Sequence, residues 1–231
     1  MNTLIRRCVL LLVLPTGAYA APAADGADYA GLIPQGWQVV ASARGDLNRD
    51  GRPDAAIVIQ QQDPAKIIRN DSLGSPELDT NPRQLWVLLR QPAGWKVAAV
   101  NRDWLPPAGD AEAPCLADPL ADGGLNIQQG RLQVALHYWY SCGSWGVNHH
   151  IYTFRQEGQR FRLIGLDQTS FMRNSGDKES ISTNYLSGRQ KLTSGDNEFE
   201  PKPGNIRERW RNLSGSRHWY LDGKLPAQDA E

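Results

Sequence analysis

The stretch Leu125 to Tyr138, LNIQQGRLQVALHY, sets the fold class. Leu132, Val134, Leu136 and Tyr138 alternate with Gln133, Ala135 and His137, and Gln129-Gly130 separates them from a second apolar run, Leu125 to Gln128. A period of two puts alternate side chains on one face, so this reads as a β-hairpin with one buried face. The pattern recurs along the chain. Trp37 to Ala43 and Ala55 to Gln60 flank a polar loop; Leu85 to Arg90 and Trp95 to Val100 flank Gln91-Pro92-Ala93-Gly94. Ile151 to Phe154 and Phe161 to Leu166 flank Glu157-Gly158-Gln159, and Ser180 to Leu186 and Gln190 to Thr193 flank Ser187-Gly188. Ile206 to Arg211 with His218 to Leu221 end the series. The expected class is all-β: antiparallel hairpins arranged as propeller-like blades or as a sandwich. Asp63 to Arg83 and Pro106 to Gly124 are polar and read as long irregular connections.

Arg6 and Arg7, the apolar run Cys8 to Leu14 and the small-residue end Ala18-Tyr19-Ala20 have the form of a secretory signal peptide over residues 1–20. The run is too short to span a bilayer, and no later stretch is long enough. The expected order is a flexible arm over 21–31, a single β domain over 32–224 and a disordered tail over 225–231, in a periplasmic or secreted protein. Removing residues 1–20 takes away two of 25 basic side chains and none of 25 acidic ones, leaving a net charge of −2. That balance disfavours nucleic acid and anionic membranes as partners. Cys8 leaves with the signal, and Cys115 and Cys142 remain. In an oxidising compartment such a pair reads as one disulfide, the alternative being two buried thiols.

Asp46 to Asp54, DLNRDGRPD, sets oxygen-bearing side chains at alternate positions around a turn glycine. Asp46, Asn48, Asp50, the Arg52 carbonyl and Asp54 match positions 1, 3, 5, 7 and 9 of a calcium loop. The bidentate Glu that closes an EF-hand is replaced by Ile57, inside the apolar run AAIVI, so the loop belongs to a hairpin and not to an EF-hand. The alternative is a polar turn that needs no metal. Three carboxylates in one bend repel by roughly 1–4 kcal/mol per close pair, which Ca2+ would remove. Such a loop braces a scaffold rather than performing chemistry.

No catalytic motif is present: there is no nucleophile elbow, metalloprotease helix, phosphate loop or dinucleotide fingerprint. The chain therefore reads as a binding protein, not an enzyme. His149 and His150 are adjacent, which puts them on opposite faces of a strand and disfavours a zinc pair. Tyr138 to Gly146, YWYSCGSWG, combines large aromatics, a cysteine and small residues. A Cys115–Cys142 bridge would hold this loop rigid, and rigid Tyr and Trp among Ser and Gly suit protein or sugar recognition. Tyr138, Tyr140, Ser141, Ser144 and Trp145 are the candidate partner-binding residues, with Ser214 and Tyr220 as a second group. Arg207, Arg209 and Arg211 share one strand face near Arg217, as solvated surface or a ligand stripe.

The loop from Gly45 to Ile59 resembles the calcium loops of FG-GAP and VCBS repeats. Gly123-Gly124, Tyr140 to Trp145, Thr153-Phe154-Arg155 and Ile181 to Gly188 extend the likeness to exported bacterial proteins carrying one such loop each. Some of these are periplasmic immunity proteins that resemble lysozyme inhibitors. The resemblance implies that this protein occludes a peptidoglycan hydrolase. A calcium-dependent glycan or cell-surface adhesion module is the alternative.

Overall fold

A computed structural model describes residues 29–201, 203–214 and 218–226. The expected signal peptide, most of the arm, Arg217 and residues 227–231 lie outside the described residues. The fold is all-β and antiparallel. A four-stranded sheet has the order β1 (Trp37–Gly45), β2 (Asp54–Gln61), β5 (Arg83–Gln91), β6 (Gly94–Asn101). A two-stranded ribbon pairs β3 (Ile67–Arg69) with β4 (Glu77–Asp79). The third sheet is an unbroken seven-stranded meander: β7 (Gly124–Gln128), β8 (Arg131–Trp139), β9 (Gly146–Glu157), β10 (Arg160–Met172), β11 (Asp177–Asn184), β12 (Arg189–Asn197) and β13 (Arg207–Asn212). Among the described residues no helix is long and apolar enough to cross a membrane.

The two large sheets share one core in a sandwich-like arrangement. Val58, Leu85 and Val87 of the smaller sheet pack with Leu132, Val134, Leu136, Tyr152, Phe154 and Leu163 of the larger. Strand β1 runs beside β7 and β6 beside β10, so four strands cover four, and β11 to β13 extend beyond the covered face. Strand β2 is buried on both faces, as its apolar run requires. Ala55, Ile57 and Ile59 face a second cluster containing Tyr29, Leu32, Ile33, Trp37, Trp86 and Trp95. Gly45 ends β1 where a Cβ would collide with Ile127 of β7, so only glycine admits this approach of the sheets.

Four expectations change. The Asp63 to Arg83 stretch contains the β3–β4 ribbon, because Arg69 and Glu77 can pair across a turn. Tyr29, assigned to the flexible arm, is buried against Trp95 with ring centroids 5.7 Å apart. Leu225, assigned to a disordered tail, packs in the main core. The segment 218–221 does not pair with β13; it runs along the start of β10, where Leu163 donates to the Trp219 carbonyl at 2.9 Å and Leu221 donates to the Phe161 carbonyl at 2.8 Å. Buried Asn101 holds its continuation, donating to the carbonyls of Leu221 at 2.6 Å and Gly223 at 3.1 Å.

Among the buried polar residues, His150 is 3% exposed and sits beside Tyr138, with ring centroids 5.2 Å apart, and near Tyr152. Burial, helped by the neighbouring His149, pushes its pKa below the ordinary 6.5. The unfolded chain therefore binds this proton more readily, and stability falls as pH drops from 6.5 towards the folded-state value. The slope from one such group is at most about 1.4 kcal/mol per pH unit. Denaturant midpoints measured across this window should flatten in His150→Gln; an unchanged slope assigns the acid sensitivity to other groups.

Candidate functional site

The acidic loop joins β1 to β2. Gly51 with φ 82° and Arg49 with φ 62° bend it sharply. The Asp46 carboxylate accepts from the backbone N–H groups of Asp50 at 3.1 Å and Gly51 at 2.9 Å. Asn48 Oδ1 also accepts from Asp50 N–H at 3.0 Å, and Asp50 accepts from Arg52 N–H at 2.9 Å. These three side chains and the Arg52 carbonyl supply hard oxygens within one exposed bend, which fits Ca2+ in kind. Asp54 differs in being fully buried. Its Oδ2 accepts from Leu47 N–H at 2.8 Å and Asn48 N–H at 3.3 Å, and its Oδ1 from Arg90 N–H at 2.8 Å, so it anchors the loop to β5. Burial raises its pKa; the three N–H groups pull it down, and the Asp50 charge pushes it up. Among the described residues no three His, Cys, Asp or Glu side chains are placed to hold an ion, so an Asn, carbonyl and water share would be needed.

The aromatic loop lies at the other end of the sandwich, between β8 and β9. Cys115 and Cys142 are disulfide-bonded, with Cα atoms 5.4 Å apart. The connection bearing Cys115 continues β-like pairing along β8: His137 donates to the Pro119 carbonyl at 2.8 Å, Ala117 donates to that of Trp139 at 2.9 Å, and Ser141 donates to that of Cys115 at 2.8 Å. A second clamp comes from Arg173, just past β10. One of its Nη atoms donates to the carbonyls of Tyr140 at 2.7 Å and Ser144 at 2.8 Å. The guanidinium also lies 4.8 Å from the Trp139 ring centroid and 5.5 Å from that of Trp145.

These tethers leave Trp145 59% exposed, with Ser141 and Ser144 exposed and Tyr140 half-buried. Tyr138 is a core residue and presents no surface. Exposed Leu73, Met172 and Phe199 lie at this same end of the sheets. Sequence reading missed them and Arg173; the Leu73-Gly74-Ser75 context carried the same apolar-beside-small signal as Trp145.

Ser214 and Tyr220 are not brought to this surface. Tyr220 bridges to Arg162 near the start of β10, under the Arg160 guanidinium at 3.9 Å, whereas the Trp145 carbonyl accepts from Arg173 beyond the end of β10. Arg173 lies eleven positions after Arg162 along β10 and its end, about 36 Å in extended chain. The two candidate groups therefore serve two different surfaces. Arg207, Arg209 and Arg211 do share a face of edge strand β13, where Arg211 donates to Gln190.

No protein-family model matches the chain, and no curated protein matches its sequence.

The disulfide closes a loop with a sequence separation of 27, for which chain entropy gives about 3–4 kcal/mol. Cys115→Ser with Cys142→Ser should lower stability on that scale, and Arg173→Ala should speed amide hydrogen exchange over 140–146 while leaving β2 and β8 protected. Exchange that stays slow in the loop of the Arg173 variant would refute the clamp.

Proposed function

We propose that this is an exported, calcium-stabilised binding protein that inhibits a lysozyme-like peptidoglycan hydrolase, as an inhibitor or an immunity protein. The observation that supports it is the doubly tethered loop Tyr140 to Trp145. Rigid aromatic anchors flanked by Ser and Gly lose little conformational entropy on binding, which is what a high-affinity protein contact needs. Exposed Leu73, Met172 and Phe199 add apolar area at the same end of the sheets, and the resemblance of this loop to periplasmic immunity proteins points to the same partner class.

The acidic loop takes a separate role. It packs beside the Gln129-Gly130 turn and the β9–β10 turn, at the far end from Trp145, where Arg49 lies against Gly130. Ca2+ held by Asp46, Asn48, Asp50 and the Arg52 carbonyl, with Asp54 anchoring the bend, relieves the repulsion among the carboxylates and braces the first hairpin.

The purified chain should inhibit at least one peptidoglycan hydrolase at micromolar concentration, and Trp145→Ala should weaken binding by about 30-fold, or ~2 kcal/mol. Ser214→Ala should leave that affinity unchanged. Retention on insoluble peptidoglycan with no effect on any hydrolase would instead establish the adhesion reading.

For the metal, Ca2+ at about 100 times its Kd adds roughly 2.7 kcal/mol to stability. The melting temperature should rise with Ca2+ and fall with EDTA, and Asp46→Ala or Asp50→Ala should abolish the difference. Superimposable melting curves would remove calcium from the account.

A further inference from the structure

The outer face of the seven-stranded sheet carries a cluster that adjacency in sequence conceals. His149 and His150 point to opposite faces: His150 enters the core, while His149 lies directly across the β8–β9 ladder from His137. The rings of His137 and His149 meet edge to face, with centroids 6.1 Å apart and planes at 88°. The Asp122 carboxylate approaches His137 Nδ1 at 3.6 Å. Neither imidazole is held by a hydrogen bond among the described residues. The rings line a pocket of about 470 Å3, with Val147 and Phe171 as its apolar wall and the Lys178–Glu198 ion pair, at 2.6 Å, on its far side.

The geometry points to His137 and His149 as a two-imidazole site for a borderline divalent transition metal, Zn2+, Ni2+ or Cu2+, with Asp122 orienting His137. With metal–nitrogen bonds of about 2.0–2.1 Å, two imidazoles on one ion have ring centres about 5–6 Å apart, depending on the angle between them. The observed separation needs only a side-chain rotation to reach that range. Asp122 meets the Nδ1 side of His137, which leaves Nε2 as the ligating atom. Metal binding at Nε2 would draw the Asp122 carboxylate from 3.6 Å into hydrogen-bonding range of Nδ1–H, the carboxylate–histidine–metal arrangement that orients a ligating ring. Imidazole nitrogen ligands select against Ca2+, which wants many oxygens, so this site is chemically distinct from the Asp46 to Asp54 bend. Among the described residues no group of three His, Cys, Asp or Glu side chains is placed to hold an ion, Asp122 standing behind His137 and Glu198 pairing with Lys178, so water would fill the remaining positions and leave the coordination sphere open to an incoming ligand. The pocket also adjoins Trp139, whose ring packs against Arg173, and this places the site beside the aromatic loop.

Calorimetric titration of the untagged chain with Ni2+ and with Zn2+, in saturating Ca2+, should give one site per chain in the micromolar range. His137→Gln and His149→Gln should each weaken it at least tenfold and Asp122→Asn severalfold, while His218→Gln leaves it unchanged. In the unsubstituted chain, substoichiometric Ni2+ should broaden the imidazole proton resonances of His137 and His149 before that of His218. Full affinity in both imidazole variants, broadening of His218 first, or no saturable binding below millimolar metal would each overturn the assignment.

Discussion

The fork between buried Arg83 and half-buried Asp118 is the contact that joins the smaller sheet to the connection lying along β8. Arg83 begins β5 in the four-stranded sheet, and its side chain is 4% exposed; both Nη atoms donate to the Asp118 carboxylate at 2.6 Å. Its Nε donates to Gln60 Oε1 at 2.7 Å, and Gln60 in turn donates to Asp79 at 2.6 Å. A guanidinium removed from water is tolerable only when its donors are met in this way, and removing one partner of such a pair costs about 3–5 kcal/mol. Asp118 belongs to the connection that carries Cys115. The fork therefore ties the smaller sheet to the same backbone that pairs with β8 and holds the aromatic loop, so the position of Trp145 is fixed relative to both sheets.

The mismatch between four strands and seven has a further consequence. Where the smaller sheet covers β7 to β10, the inner face is apolar; past β10 the row continues as Thr183, Gln190 and Arg211, a hydrogen-bonded polar ladder in place of a core. The edge strand β13 is exposed along its whole length, and its charged side chains oppose pairing with another strand. The meander thus extends beyond its partner sheet with a polar row where the core ends, and exposed Trp210 on β13 is covered in part by the Arg189 guanidinium, 4.4 Å from its ring centroid.

Most of the hairpins were legible because period-2 alternation is a direct image of a half-buried strand, as in Leu132 to Tyr138 and their polar neighbours. The buried run Ala55 to Ile59 was legible for the opposite reason, its lack of alternation. What failed was local in a different sense. Tyr29 and Leu225 lie in segments of loop-like composition, and a single large apolar side chain among small and polar ones gives no period, although tertiary contact buries it. Strand β9 extends back to Gly146, which the sequence assigns to the aromatic loop, because small and polar residues there give no apolar alternation; its strand geometry comes from pairing with Trp139 on one side and Met172 on the other. Within the candidate site, Trp145 and the cysteines could be read from composition, but Arg173 could not, since its value lies in reaching two carbonyls and two rings that only the β9–β10 pairing brings within range. The facing of His137 and His149 is hidden for the same reason: cross-strand register is a property of two segments together.

The separation of the two loops constrains how they can cooperate. The acidic bend and the aromatic loop lie at opposite ends of the sheets, joined through paired strands of the core. A cation at the bend would stabilise the native state against unfolding, but it would sit too far from the Trp145 loop to touch it, and a ligand without differential contact cannot shift that loop's conformation. Calcium at the proposed site would act in this architecture as a brace and not as a gate. The rigidity of the Trp145 loop is supplied locally, by the disulfide, the Arg173 clamp and the stitched connection, none of which includes a residue of the distant bend.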